Sequence, residues 1–261
     1  GCVPLDEHLL FSTGWEWGYW LNDVVSLRAS YEQGSSAEDL LTDAYAPDLG
    51  VAAGHFVGRL MAAQKKALID QRLIGYLVGR DIAIDAGDRL DPPIISQPDR
   101  ITFEDLVANR QLEAALIIVL ADLDAYATTL DGLESELDAL DLPDSRWSSE
   151  LRDGVAIDRL RVRFVNATYN AVLAFVRNQN FAPDYEKAKE LLARARKLVA
   201  SRHADLHDNH GRRLVDKTAN HTFYQFGYLY MADTLCYWQR ELDQVGQILG
   251  TSTAVPNTCL F

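Results

Sequence analysis

Residues 218–249 read TANHTFYQFGYLYMADTLCYWQRELDQVGQIL. Between His221 and Trp238 lie Phe223, Tyr224, Phe226, Tyr228, Leu229, Tyr230, Met231, Leu235, Cys236 and Tyr237. Wound as an α-helix at about 100° per residue, these side chains cover nearly the whole circumference. A helix that is apolar all round must be enclosed by others. The stretch therefore predicts an all-α, up-and-down bundle of about six helices around an aromatic C-terminal helix.

Outward from that helix, each neighbour shows its own period. Pro183, at a first helical position, opens a helix with Leu191, Leu192, Ala195, Leu198 and Val199 inward and Lys, Arg and Glu outside. Before it, Ser145 or Ser148 opens a helix through Asn178. Leu160, Phe164, Ala171 and Phe175 form one of its stripes, and Val165, Tyr169, Val172 and Val176 an adjoining one. So wide an apolar face implies more than one neighbour. Earlier still, Leu116, Val119, Leu123, Tyr126, Leu130, Leu133, Leu137 and Leu140 alternate steps of three and four, a heptad seam that Pro143 closes. Thr102 and Asp105 stand at capping-box spacing ahead of it.

Residues 1–13 read as a tether, 14–249 as a single helical-bundle domain with a Pro-rich linker at 88–101, and 250–261 as a tail. Ser36 is placed to cap a short helix through Tyr45, with Pro47 as its break. From about Leu49 a long helix is expected towards Ala86. Its glycine pairs, Gly54 with Gly58 and Gly75 with Gly79, signal close helix approach or local weakness.

The charge balance excludes whole classes of partner. With 38 acidic and 25 basic residues the net charge is −13, whereas nucleic-acid binding requires a basic footprint. Electrostatic adhesion to an anionic membrane is disfavoured for the same reason. No uncharged run is long enough to cross a bilayer. Dinucleotide, P-loop, nucleophile-elbow and EF-hand motifs are all absent, so the sequence leans away from an enzyme.

Three groups of residues carry candidate chemistry. His203, His207 and His210 stand at i, i+4 and i+7, one face of a helix, with Asp205, Asp208 and His221 close in sequence. Three imidazoles with an open fourth position suit Zn or Cu; the alternative is a solvated helix end, where histidine favours the dipole. Asp233 lies among apolar residues and needs a partner if buried, which Arg159, Arg161 or Arg163 would supply. With Tyr237, Trp238 and Asn170 it outlines either a small-ligand pocket beneath the aromatic helix or a structural hydrogen-bond network. Trp15, Trp17 and Trp20 form the third group, able to stack on a ligand or to seal the end of the bundle.

The chain opens Gly1-Cys2. This resembles a bacterial lipoprotein at its cleavage site, where the cysteine carries the lipid. The resemblance implies lipidation at Cys2, a cell-envelope location on the periplasmic face of a bacterial membrane, the outer membrane included, and membrane contact only through the anchor. The alternative is a cytoplasmic protein. In an exported chain Cys236 and Cys259 become candidates for a disulfide. The expected role is non-catalytic binding or scaffolding, with an envelope protein or a small molecule as partner.

Overall fold

Helix follows helix through the residues that the computed structural model describes, which are 34–77, 100–208, 235–253 and a few positions between 25 and 32. Within these, only the backbone is described for 202–208, Arg146, Cys236 and Tyr237. No strand occurs among the described residues, so the fold is all-α. No helix among them is long and apolar enough to cross a membrane.

Local signals account for most helix boundaries. Helix α1 (Ala37–Leu49) starts where the Ser36 hydroxyl accepts the Asp39 N–H at 3.1 Å, with Glu38 and Asp39 at its positive end. Pro47 lies inside α1 rather than ending it. It removes one N–H from the final turn, and the chain reverses only at Gly50, whose φ of 91° suits glycine. Helix α2 is Val51–Lys65. The long helix expected from Leu49 is interrupted here: a π-turn covers Lys66–Asp70, Arg72 has φ 57°, and a single-turn helix α3 follows at Ile74–Leu77. The Leu73 N–H reaches back to the Ala67 carbonyl, a loop too wide for a continuing α-ladder.

Helix α4 (Phe103–Ala108) opens on a complete capping box. Thr102 accepts from the Asp105 N–H at 3.0 Å, and Asp105 accepts from the Thr102 N–H at 3.3 Å. Asn109 then breaks the helix and caps a 3₁₀ turn, Arg110–Leu112, that leads into α5 (Glu113–Ala139). Helices α6 (Arg146–Val176) and α7 (Ala182–Asp208) follow, joined through Asn178 at φ 56°. The last helix, α8, is Cys236–Ile248. Leu235 before it is left-handed, φ 50° and ψ 32°, so α8 does not continue backwards as one α-helix. Residues 218–234 of the aromatic stretch lie outside the described residues.

The chain contacts gather into two compact units, divided within α5, α6 and α7. The first holds α1, α2, residues 130–139 of α5 and residues 146–157 of α6. Leu40, Leu41, Phe56, Val57, Leu130, Leu137, Leu151 and Val155 are buried in it. Here α1 and α2 approach closely: a Cβ on Gly54 would lie 2.6 Å from the Thr42 carbonyl oxygen, and the Thr42 hydroxyl donates to the Gly54 carbonyl at 3.3 Å. Arg59 of α2 pairs with Glu136 of α5.

The second unit holds α3, α4, the N-terminal part of α5, residues 158–176 of α6, most of α7, and α8. Asn166 of α6 donates to the Leu120 carbonyl at 3.2 Å, fastening α6 to α5. Arg110 donates to the Val176 carbonyl at 2.5 Å, and Arg177 to Glu113 at 2.9 Å, closing the C-terminal end of α6. Of the heptad seam, Leu116, Leu123, Tyr126, Leu130, Leu133 and Leu137 are buried, so it is used within the chain.

Two glycines give opposite expectations. Gly54→Ala should destabilise by about 1–3 kcal/mol, because the backbone oxygen of Thr42 cannot move aside cheaply. Gly132→Ala, in the interior of α5 with nothing within 4 Å of its Cβ, should stabilise by about 0.5–1 kcal/mol. Urea denaturation of both variants checks this; equal effects of one sign would contradict the packing described.

Candidate functional site

Helix α8 is amphipathic, with Trp238, Glu241, Leu242, Val245 and Leu249 on its buried side. Four of the five are apolar, and the fifth is a carboxylate. Glu241 meets two guanidiniums. Arg161 of α6 donates to both its oxygens, to Oε2 at 2.5 Å and to Oε1 at 3.1 Å. Arg100, just ahead of the α4 capping box, donates to Oε1 at 3.1 Å. The side chains of Arg100, Arg161 and Glu241 are 4%, 10% and 9% exposed, which makes this a buried charge cluster rather than a surface pair.

Each cation is held from other directions as well. The Nε of Arg161 donates to the Leu77 carbonyl at 2.8 Å and its Nη2 to the Tyr76 carbonyl at 3.3 Å, so it also binds the backbone of α3. Its guanidinium lies 5.4 Å from the Trp238 ring centroid and 5.7 Å from that of Phe164, and these two rings stack at 5.3 Å. The Arg100 guanidinium lies 5.7 Å from the Phe103 ring. Next to it, Ile101 is clasped on both sides: its N–H donates to the Tyr76 hydroxyl at 3.1 Å, and its carbonyl accepts from the Tyr169 hydroxyl at 2.6 Å. Tyr169 in turn contacts the Tyr76 and Phe103 rings, at 5.4 and 4.6 Å.

The ionisation states follow from this setting. Burial alone pushes the Glu241 carboxyl up, but the charges and hydrogen bonds of Arg161 and Arg100 outweigh it and hold the group below the usual carboxylate range. Glu241 is therefore a fixed anion at neutral pH. A general acid or base works best with a pKa near the working pH, which Glu241 lacks. Burial, helped by Glu241 and Tyr76 and opposed by Arg100 and Arg161, raises the Tyr169 hydroxyl far enough that it remains a proton donor to Ile101.

Arg159, Arg161 and Arg163 of α6 do not converge on one target. Residues two apart on a helix diverge by about 200°. Accordingly, Arg161 faces Glu241 while Arg159 and Arg163 line a cleft towards α7. Asn170 donates to the carbonyl and side-chain oxygens of Asn166, one turn away in its own helix. Trp238 is buried against Phe164 and Arg161. His203 and His207 fall in α7 and Tyr237 and Cys236 in α8, by backbone alone. Cys2, Trp15, Trp17, Trp20, His210, His221, Asp233 and Cys259 lie outside the described residues. Among the described residues no group of three or more His, Cys, Asp or Glu could hold a metal ion.

The cluster's anion is absent from the sequence-level candidates. The available signal was a single carboxylate on the apolar stripe of α8, at i+3 from Trp238 and i−4 from Val245. No protein-family model, curated protein or solved structure matches this chain.

Removing one member of such a cluster leaves buried charge uncompensated. Glu241→Ala is expected to destabilise by about 3–5 kcal/mol. Replacing Arg100, Arg161 and Glu241 together with apolar residues of similar volume should cost less than the summed single changes. The acid limb has a defined sign. A carboxyl depressed in the folded state stabilises fully above its unfolded value near pH 4 and loses that contribution as pH falls through the folded pKa. Thermal unfolding from pH 7 down to pH 2 should thus show a shallower acid loss in Glu241→Gln than in the parent. Parallel pH profiles would refute the assignment.

Proposed function

We propose that this chain is a non-catalytic helical binding protein of the bacterial cell envelope. One observation supports the non-catalytic part. The best-formed polar cluster among the described residues has both carboxylate oxygens of its anion engaged by Arg161 and Arg100. The rings of Trp238, Phe164 and Phe103 lie against the two guanidiniums. Such a cluster leaves no proton acceptor free for a reacting group, and its energy goes into joining helices.

A panel of sugars, lipids, amines and organic anions, followed by thermal shift and by recovery of the added compound, tests this reading. At least one class should raise the melting temperature saturably, since a ligand that prefers the folded state stabilises it. That compound should be recovered unchanged. Its conversion to product would overturn the non-catalytic part.

A further inference from the structure

Between α6 and α7, within the second unit, lies a cleft of about 190 Å³. Arg159 and Arg163 stand on its α6 wall, and Lys187 and Arg194 on its α7 wall. On α6 the two cations are one turn apart; on α7 they are two turns apart, with Glu190 between them. Buried Leu160 and Leu191 also line it. Four cations and one carboxylate give the cleft a local balance of +3, on a chain whose net charge is −13.

We infer that this cleft binds a small phosphate monoester. Cations from two walls surround a tetrahedral dianion better than a monovalent carboxylate, and arginine's planar fork matches phosphate oxygens two at a time. Arg159 and Arg163 are half-buried, and each already interacts within the chain, so both cost less to order than fully exposed side chains. The volume is below the roughly 300–1,000 Å³ of pockets for drug-sized ligands, which selects a small molecule. The acidic remainder of the surface repels long polyanions, so nucleic acid does not compete. The lining refines the class. Glu190 accepts a hydrogen bond from a hydroxyl, the P–OH of hydrogen phosphate or the alcohol of an ester alike, while Leu160 and Leu191 offer apolar contact to the carbon chain that only an ester carries. The inference rests on the binding-protein reading and names its ligand.

Calorimetric titration of the full chain with glycerol phosphate and with inorganic phosphate, at low ionic strength, tests it. Saturable one-to-one binding is expected, glycerol phosphate the tighter. Lys187→Gln and Arg194→Gln, both exposed and outside the core, should each weaken it about tenfold. Lys197→Gln, exposed on the same helix but outside the cleft, should leave it unchanged. Glu190→Gln, which removes the one carboxylate of the lining, should tighten both phosphates. Vesicles containing phosphatidylglycerol form a second arm: binding there that is lost in Arg194→Gln would give the same phosphate contacts a lipid source. No saturable binding to any probe, or binding indifferent to Lys187→Gln and Arg194→Gln, overturns the proposal. If glycerol phosphate is bound and also hydrolysed, the site stands and the non-catalytic reading falls. If nothing binds, the site falls and that reading is untouched.

Discussion

The second unit depends on one buried anion. Glu241 carries α8 onto α6 through Arg161, and draws in the segment before α4 through Arg100. Because Arg161 also binds the Tyr76 and Leu77 carbonyls of α3, a single guanidinium links three separate elements. Burying three charges is costly in itself, and such clusters are poor evidence of stability. What this one supplies is register. A slip of α8 by one turn would set Val245 against the arginines and leave both of them buried without an anion. A purely apolar stripe made of Trp238, Leu242, Val245 and Leu249 would resist that slip far less.

Around this cluster the aromatic side chains serve as packing and as hydrogen-bonding posts. Tyr76 and Tyr169 grip the two backbone groups of Ile101. That residue is half-buried and outside any helix, so its polar atoms need such partners. The capping box at Thr102 then starts α4 at once, so the chain passes from an irregular segment into helix within two residues. In the first unit the corresponding device is steric. Gly54 admits the backbone of α1, and the contact is sealed by the Thr42 hydroxyl.

How much of this was legible in the sequence follows from the range of each interaction. The caps at Ser36 and Thr102, the seam along α5 and the helical class are set by residues three to seven positions apart. Periodicity therefore finds them. The division of the expected helix after Lys65 was less legible, since no proline or glycine marks the π-turn at Lys66–Asp70. The charge cluster was harder still, because Glu241 lies 80 residues from Arg161 and 141 from Arg100. No local pattern pairs them. Arg159, Arg161 and Arg163 stood equally as partners for a buried carboxylate, and helix geometry sends Arg161 to the opposite side from the other two. The cleft beside α7 has the same origin, since Lys187 and Arg194 look like ordinary solvated charges until α6 brings Arg159 and Arg163 opposite.

The clasp formed by Arg161 also bears on the order in which the fold is reached. It joins backbone carbonyls 84 and 85 residues upstream to a carboxylate 80 residues downstream. Closing such long loops is entropically expensive until the intervening helices have already docked, so these bonds form late on the folding path. Interactions absent from the transition state act on escape from the native basin rather than on entry into it. The cluster is thus a kinetic latch: it lengthens the lifetime of the folded unit while leaving its rate of assembly nearly untouched.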